Sequence, residues 1–168
     1  YFTYLRSIRK QIDLFREENI PIQADLAVLQ QKYGMITGKM TVQVNGKDYT
    51  LQQAAKFFES PDGKLREEVY YKINERRLQD KDELNTLFSQ LIEKRNQIAI
   101  NAGFKNYRDY KFKELGRFDY TKEDCFEFHE SVKKHVLPLV NKIYSNKKRR
   151  LQLDTLRPWD IEAEPEGV

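Results

Sequence analysis

Residues 40–53 read MTVQVNGKDYTLQQ, and this stretch decides the fold. Met40, Val42 and Val44 alternate with Thr41 and Gln43, the period-two pattern of a half-buried strand. Asn45-Gly46 follows, a pair that readily takes the positive φ angles of a type I′ turn. Lys47, Asp48, Tyr49 and Thr50 then return as a second strand. The two-residue turn fixes the register: Val44 faces Lys47 and Val42 faces Tyr49, so that Met40, Val42, Tyr49 and Leu51 share one face. Thr50 and Gln53 are spaced as a capping box, so a helix leaves the hairpin directly. The hairpin, placed at about residues 35–50, is the only convincing β signal. A lone hairpin is marginal in water and needs helices, or strands from elsewhere, against its apolar face.

Everything around it reads as helix. Tyr4, Leu5, Ile8, Ile12 and Phe15 recur at three- and four-residue spacing, and Asn19-Ile20-Pro21 ends that run. Pro21 suits the first turn of the next helix. That helix carries Leu26, Leu29 and Tyr33 up to Gly34, which reads as its C-terminal cap. Beyond the hairpin, Ser60-Pro61-Asp62 opens a further helix with Pro61 in its first position. Asp82-Glu83 opens another, whose buried stripe is Leu84, Leu87, Phe88, Leu91, Ile92, Ile98 and Ala99, closed by Gly103. Asn106 caps a short helix with Tyr107, Tyr110 and Phe112, and Gly116 interrupts it. Thr121 and Asp124 are placed to open the last long helix, with Cys125, Phe128, Val132, Val136, Val140 and Ile143 on its core face and a kink at Pro138. Residues 156–160 read as irregular, and 161–168 as a frayed tail. The whole, 1–168, reads as a single helical region: a mainly α array with one hairpin.

Composition narrows the function. The chain has 168 residues, 39% hydrophobic and 33% charged, with ten Phe and ten Tyr, which is a globular balance. Net charge is +4, but Lys and Arg interleave with Asp and Glu. The one block, 147–150, reads as a solvated helix end rather than a nucleic-acid surface. No apolar run approaches the roughly 20 residues of a membrane span. Cys125 is the only cysteine, so no internal disulfide forms, and a cytoplasmic location is expected.

Catalytic chemistry is sparse. His129-Glu130 on a helix invites a zinc-protease reading, but that motif needs a second His four residues after the first, and position 133 is lysine. His135 is six residues from His129, roughly 240° around a helix, so the two rings cannot grip one ion. Cys125, one turn before His129, has nothing to orient that His as a base. Gly38-Lys39 lacks the upstream glycine of a phosphate loop, and Asp62-Gly63 belongs to a turn. The residues define no catalytic, metal or substrate-binding position.

One stretch is more specific. Arg95-Asn96-Gln97-Ile98-Ala99-Ile100-Asn101-Ala102-Gly103-Phe104 leads into Asn106-Tyr107-Arg108-Asp109-Tyr110, and later come Phe118-Asp119-Tyr120-Thr121 and Phe128-His129. These runs resemble the oligoendopeptidase F branch of the M3 metallopeptidases. Tyr33-Gly34, Thr37-Gly38-Lys39, Thr50-Leu51, Asp62, Arg66 and Leu156-Arg157-Pro158-Trp159-Asp160 extend the resemblance over nearly the whole chain. It implies a helical part of a clamshell-shaped enzyme whose channel admits short peptides and excludes folded proteins. It also implies one zinc ion in the full-length parent, held by two His and a Glu downstream of this stretch. No His-Glu-x-x-His occurs here, so no catalytic or metal residue is carried over, and the chain reads as an internal fragment. The expected partner is the remainder of the parent polypeptide. Phe57-Phe58, Tyr70-Tyr71 and Phe126 fall beside the core stripes, as if some helices were covered on two sides, so the fragment by itself is expected to self-associate. The alternative is a stand-alone helical interaction module without peptidase activity.

Overall fold

The computed structural model describes residues 1–164. Eight α-helices and one two-stranded antiparallel sheet follow in chain order: α1 (Phe2–Leu14), α2 (Asn19–Gly38), β1 (Thr41–Val44), β2 (Lys47–Thr50), α3 (Leu51–Ala55), α4 (Gly63–Gln79), α5 (Lys81–Asn101), α6 (Tyr107–Glu114), α7 (Lys122–His135) and α8 (Leu137–Arg150). Short 3-10 turns lie at Lys56–Glu59 and Pro158–Asp160. The chain divides into two compact units, Tyr1–Ile36 with Asp82–Cys125, and Thr37–Lys81 with Phe126–Val168.

The second unit is built on the hairpin. Asn45 and Gly46 take φ values of 50° and 76°, and the register is Val44 opposite Lys47, Gln43 opposite Asp48 and Val42 opposite Tyr49, as the alternation requires. Residues 35–38, expected at the edge of the hairpin, instead finish α2, and the strands occupy 41–50. Gly34 is therefore not a cap. It lies inside α2, where a glycine costs about 1 kcal/mol against alanine. Burial of Ile36 one half-turn further on outweighs that cost.

The hairpin's apolar face meets α3 and α4 in a core of Val42, Val44, Ala54, Val69 and Ile73, bordered by Tyr49, Leu51, Phe57, Phe58 and Leu65. Thr50 and Gln53 form the reciprocal capping box that turns β2 into α3. On the edge of β1, Lys72 Nζ donates to the Gln43 carbonyl at 2.8 Å, tying α4 to the strand. Helix α4 begins two residues later than the Ser-Pro-Asp signal suggests. Asp62 is its cap, accepting from the Lys64 and Leu65 amides, and Pro61 lies outside.

Arg66, Val69 and Ile73 share the buried face of α4. Arg66 donates through Nη2 and Nε to Asp160 Oδ1 at 2.6 and 3.2 Å, and through Nη1 to the Ser60 and Pro61 carbonyls at 2.7 and 3.1 Å. Asp160 Oδ2 accepts the Arg157 amide at 2.9 Å. Both side chains are about 3% exposed. The segment read as irregular is thus an ordered turn. Trp159 packs on Tyr70 and Tyr71, with ring centroids 5.2 and 5.7 Å apart. Of the tail expected to fray from 161, Ala163 is buried and the Glu164 amide reaches the Glu59 carbonyl at 3.4 Å. Residues 165–168 lie outside the described residues.

In the first unit α2 and α5 run antiparallel: Asn19 meets Ile98 and Asn101, Asp25 meets Lys94, and Lys32 meets Glu83. Leu26, Leu87, Leu91, Ile98 and Ala99 are buried. Phe88 and Ile92, expected in the same stripe, are exposed, because the stripe is wider than the surface α2 covers. Gly103 closes α5 at φ 83°, with the Phe104 amide on the Ala99 carbonyl. Asn106 caps α6, and Thr121 and Asp124 cap α7 reciprocally. Pro138 has the expected effect: regular helix stops at His135 and resumes at Leu137.

Asp160→Ala leaves a buried guanidinium unpaired and is expected to lower unfolding free energy by about 3–5 kcal/mol. A urea titration reads this directly, and the Arg66→Met, Asp160→Leu pair is expected to recover most of it. A loss under about 1 kcal/mol in the single variant contradicts the role given to the pair.

Candidate functional site

Two surfaces carry what the sequence singled out. The first is the run around α6. Asn106 Oδ1 accepts the Asp109 amide at 2.9 Å while its Nδ2 donates to Asp109 Oδ2 at 3.0 Å, setting the start of the helix. Tyr110 is buried edge-on to Phe104 at 5.6 Å and stacked with Tyr107 at 5.9 Å, and Arg95 lies over the Tyr107 ring at 6.0 Å. Burial, followed by the charge of Glu114, raises the Tyr110 pKa above its ordinary value. A cleft of about 220 Å³ opens here, with Gln23, Leu26, Tyr107, Tyr110, Lys111 and Glu114 among its lining residues. Lys111 and Glu114 neutralise one another as an ion pair. The cleft therefore offers shape and hydrogen bonds, and no poised base or nucleophile.

Helix α1 is fastened beside it by polar links. Arg6 meets Asp119 at 2.8 Å, Lys113 meets Asp13 at 2.9 Å, and Lys10 Nζ donates to the Glu114 carbonyl at 2.8 Å. The Arg6 and Lys113 hydrogen bonds hold the Asp119 and Asp13 carboxyls below the usual range. Of the expected apolar stripe, Ile8 is half-buried and Tyr4, Leu5, Ile12 and Phe15 are exposed.

The second surface is α7 with α8. The core face expected for Cys125, Phe128, Val132, Val136, Val140 and Ile143 is not a core of this chain, because neither helix buries a single residue. Phe128 and Ile143 are 66% and 61% exposed. Spacing identified apolar positions correctly, but the surface that would cover them is not among the described residues.

His129 and His135 lie exposed on α7, the former beside Phe126 and Phe128 at ring distances of 6.4 and 6.5 Å. Cys125 is half-buried. No group of three or more His, Cys, Asp or Glu among the described residues is placed to hold a metal. The residues present do not fit a zinc site, and no step is derived through one. Sequence reasoning missed the Arg66–Asp160 pair. Its signal was a charged residue on a face otherwise made of Val69 and Ile73.

These features define a helical scaffold unit carrying an architectural motif and uncovered helix faces. The sequence model of peptidase family M3 matches residues 57–166, and the chain belongs to that family. Solved structures agree in fold. An X-ray structure at 3.1 Å of a protein assigned as oligoendopeptidase F superposes with a TM-score of 0.94 at 24% identity, over 98% of this chain and 29% of that one. PZ peptidase A with an inhibitor gives 0.93 at 23% identity, over 98% of this chain and 30% of that one. A protein from Bacillus anthracis str. Ames assigned as oligoendopeptidase F gives 0.92 at 19% identity, over 98% and 30%. At these identities the likeness shows the fold. The chain spans under a third of the length of the structures it matches. No curated protein matches it. No helix among the described residues is long and apolar enough to cross a membrane.

The depressed Asp13 and Asp119 pKa values give a signed expectation. Their contribution is present above the ordinary value of 3.8 and is lost as pH falls through the lower folded values. Amides of α1 are therefore expected to lose hydrogen-exchange protection before those of α5 on acidification. The Asp13→Asn, Asp119→Asn variant is expected to show that loss at pH 7. Equal protection in variant and parent chain contradicts the tether.

Proposed function

We propose that this chain is the non-catalytic helical part of a zinc-dependent oligoendopeptidase that cleaves short peptides inside an enclosed channel in the cytoplasm. The observation that carries the reading is the family match across residues 57–166, made by residues whose roles are architectural. Arg66 and Asp160 join segments 94 residues apart, and Asn106, Tyr107 and Tyr110 build α6 and its packing. In this reading the metal ligands lie in the remainder of the parent polypeptide, where a bound zinc would supply Lewis-acid chemistry. This chain supplies part of the scaffold. Exposed apolar faces on α1 and α8 also favour the second reading, an interaction module without peptidase activity.

The product of the complete gene, assayed on a short internally quenched peptide, separates the two. Hydrolysis that stops on zinc chelation, with none from this chain alone at equal concentration, is the expected result. A zinc-loaded full-length product that cleaves nothing overturns the peptidase reading and leaves the interaction module.

The isolated chain is expected to self-associate through its uncovered faces. Sedimentation equilibrium over a tenfold concentration range checks this, and a constant mass of 20.1 kDa contradicts it.

A further inference from the structure

We infer that the cleft beside α6 binds the carboxy terminus of a short peptide whose last side chain is apolar. Every residue of the cleft belongs to the first unit, and the inference needs neither a metal nor the peptidase reading.

The first observation is a surplus of positive charge. Lys111 has three N–H donors and, among the described residues, uses one, on Glu114. Its side chain keeps 42% of its exposure, so the ammonium is open to a second acceptor. Arg95 is half-buried and has no carboxylate partner among the described residues; its guanidinium lies over the Tyr107 ring at 6.0 Å. Glu114 raises the Lys111 pKa and the Arg95 charge opposes it, so the two cations act on the same small volume. Lys10 adds a third from the Glu114 carbonyl. Glu114 is the one carboxylate among the lining residues. One further negative charge therefore improves the balance.

The second observation is what surrounds the charges. Leu26 and Ile98 are buried and Tyr107 is half-buried, which gives apolar surface for one side chain. Gln23 and Gln30 are exposed at the same cleft, and neither amide is hydrogen-bonded among the described residues. Each offers both a donor and an acceptor, which is what a peptide bond requires. At about 220 Å³ the cleft is smaller than the roughly 300–1,000 Å³ of pockets that enclose a whole ligand. It takes the end of a chain.

These features together select the ligand. A carboxylate is planar, carries one charge and accepts from an ammonium and a guanidinium at once. A phosphate group brings up to about two charges and no apolar surface for Tyr107 and Leu26. A peptide carboxy terminus supplies the single charge, one side chain and an amide within a few bonds of each other. Glu114 competes with it for Lys111, so the pair sets the affinity of the cleft. An ion pair this exposed yields part of its hydrogen bonding at little cost.

NMR saturation-transfer titration of the full-length gene product, after zinc chelation, tests this with N-acetyl-alanyl-leucine as the probe. Its carboxamide, which differs only in the lost charge, is the control. The acid is expected to bind about tenfold or more tightly than the amide, and Lys111→Met to remove that difference. Glu114→Gln is expected to tighten binding of the acid several-fold, because it removes the competing carboxylate. A purely structural role for the pair predicts weaker binding or none of these changes in both variants. Equal affinity for acid and amide, an unaltered titration in Lys111→Met, or no saturable binding overturns the inference. Should Lys111→Met fail to fold, the acid–amide comparison and Glu114→Gln decide it. A cleavage assay on the zinc-loaded protein keeps the two claims apart. Hydrolysis without acid-selective binding overturns the cleft alone, and acid-selective binding without hydrolysis supports the cleft and sinks the peptidase reading.

Discussion

The hydrogen-bonded pair of Arg66 and Asp160 holds the second unit together, because it is the place where a late segment of the chain is bound to the α4 face that carries the core. A guanidinium and a carboxylate at 3% exposure have lost nearly all their water. Their mutual attraction offsets that loss only when the other polar atoms are also satisfied. Here they are. Arg66 donates to the Ser60 and Pro61 carbonyls, which fixes the turn before α4, and Asp160 accepts the Arg157 amide, which fixes the turn after α8. One pair therefore positions two turns. The Trp159 ring beside Tyr70 and Tyr71 follows from it, since the same short turn presents both residues.

The first unit uses a different device. Its latch is neutral at the centre and charged only at the rim. Asn19, buried at the start of α2, donates to the Ile98 carbonyl and accepts from Asn101, whose own oxygen accepts from Gln97. Arg16 then donates to the Asn101 and Ala102 carbonyls at the end of α5. A cation at a helix C-terminus meets the negative end of the dipole and satisfies carbonyls that have no partner within the helix. The run Ile98 to Phe104 is demanding in sequence for this reason. It must supply a buried carbonyl, two small residues and a glycine at positive φ within seven positions.

Local chemistry was legible in the sequence where two neighbouring residues decide the geometry. Asn45-Gly46 dictated both the turn and the register. Thr50 with Gln53, Asn106, and Thr121 with Asp124 marked helix starts, and Pro138 marked a break. Gly34 was misread because a glycine's cost of about 1 kcal/mol is small beside the burial of a residue such as Ile36, which lies beyond any local pattern. Pro61 was misplaced because Asp62 is the better cap, its carboxylate accepting two amides. The Arg66–Asp160 pair was invisible as a contact for a plainer reason. No periodicity links positions 94 residues apart, although both fell within stretches that the family resemblance had picked out.

Burial on α7 and α8 is the most informative failure. Helical spacing reports which side chains an element would bury, and it does so without reference to what is present to bury them against. Cys125, Phe128, Val132, Val136, Val140 and Ile143 have the spacing of a core face, yet among the described residues Phe128, Val136 and Ile143 stay exposed and Cys125, Val132 and Val140 are only half-buried. On α4, by contrast, Val69 and Ile73 pack in the hairpin core, and the helix also meets the turn at Pro158–Asp160. The sequence treats the two helices alike and the chain does not. The difference lies in the partner surface, which for α4 is a hairpin whose register is dictated by two adjacent residues. A pattern of this kind, satisfied on one helix and unsatisfied on the next, marks the edge of what the chain can fold against itself.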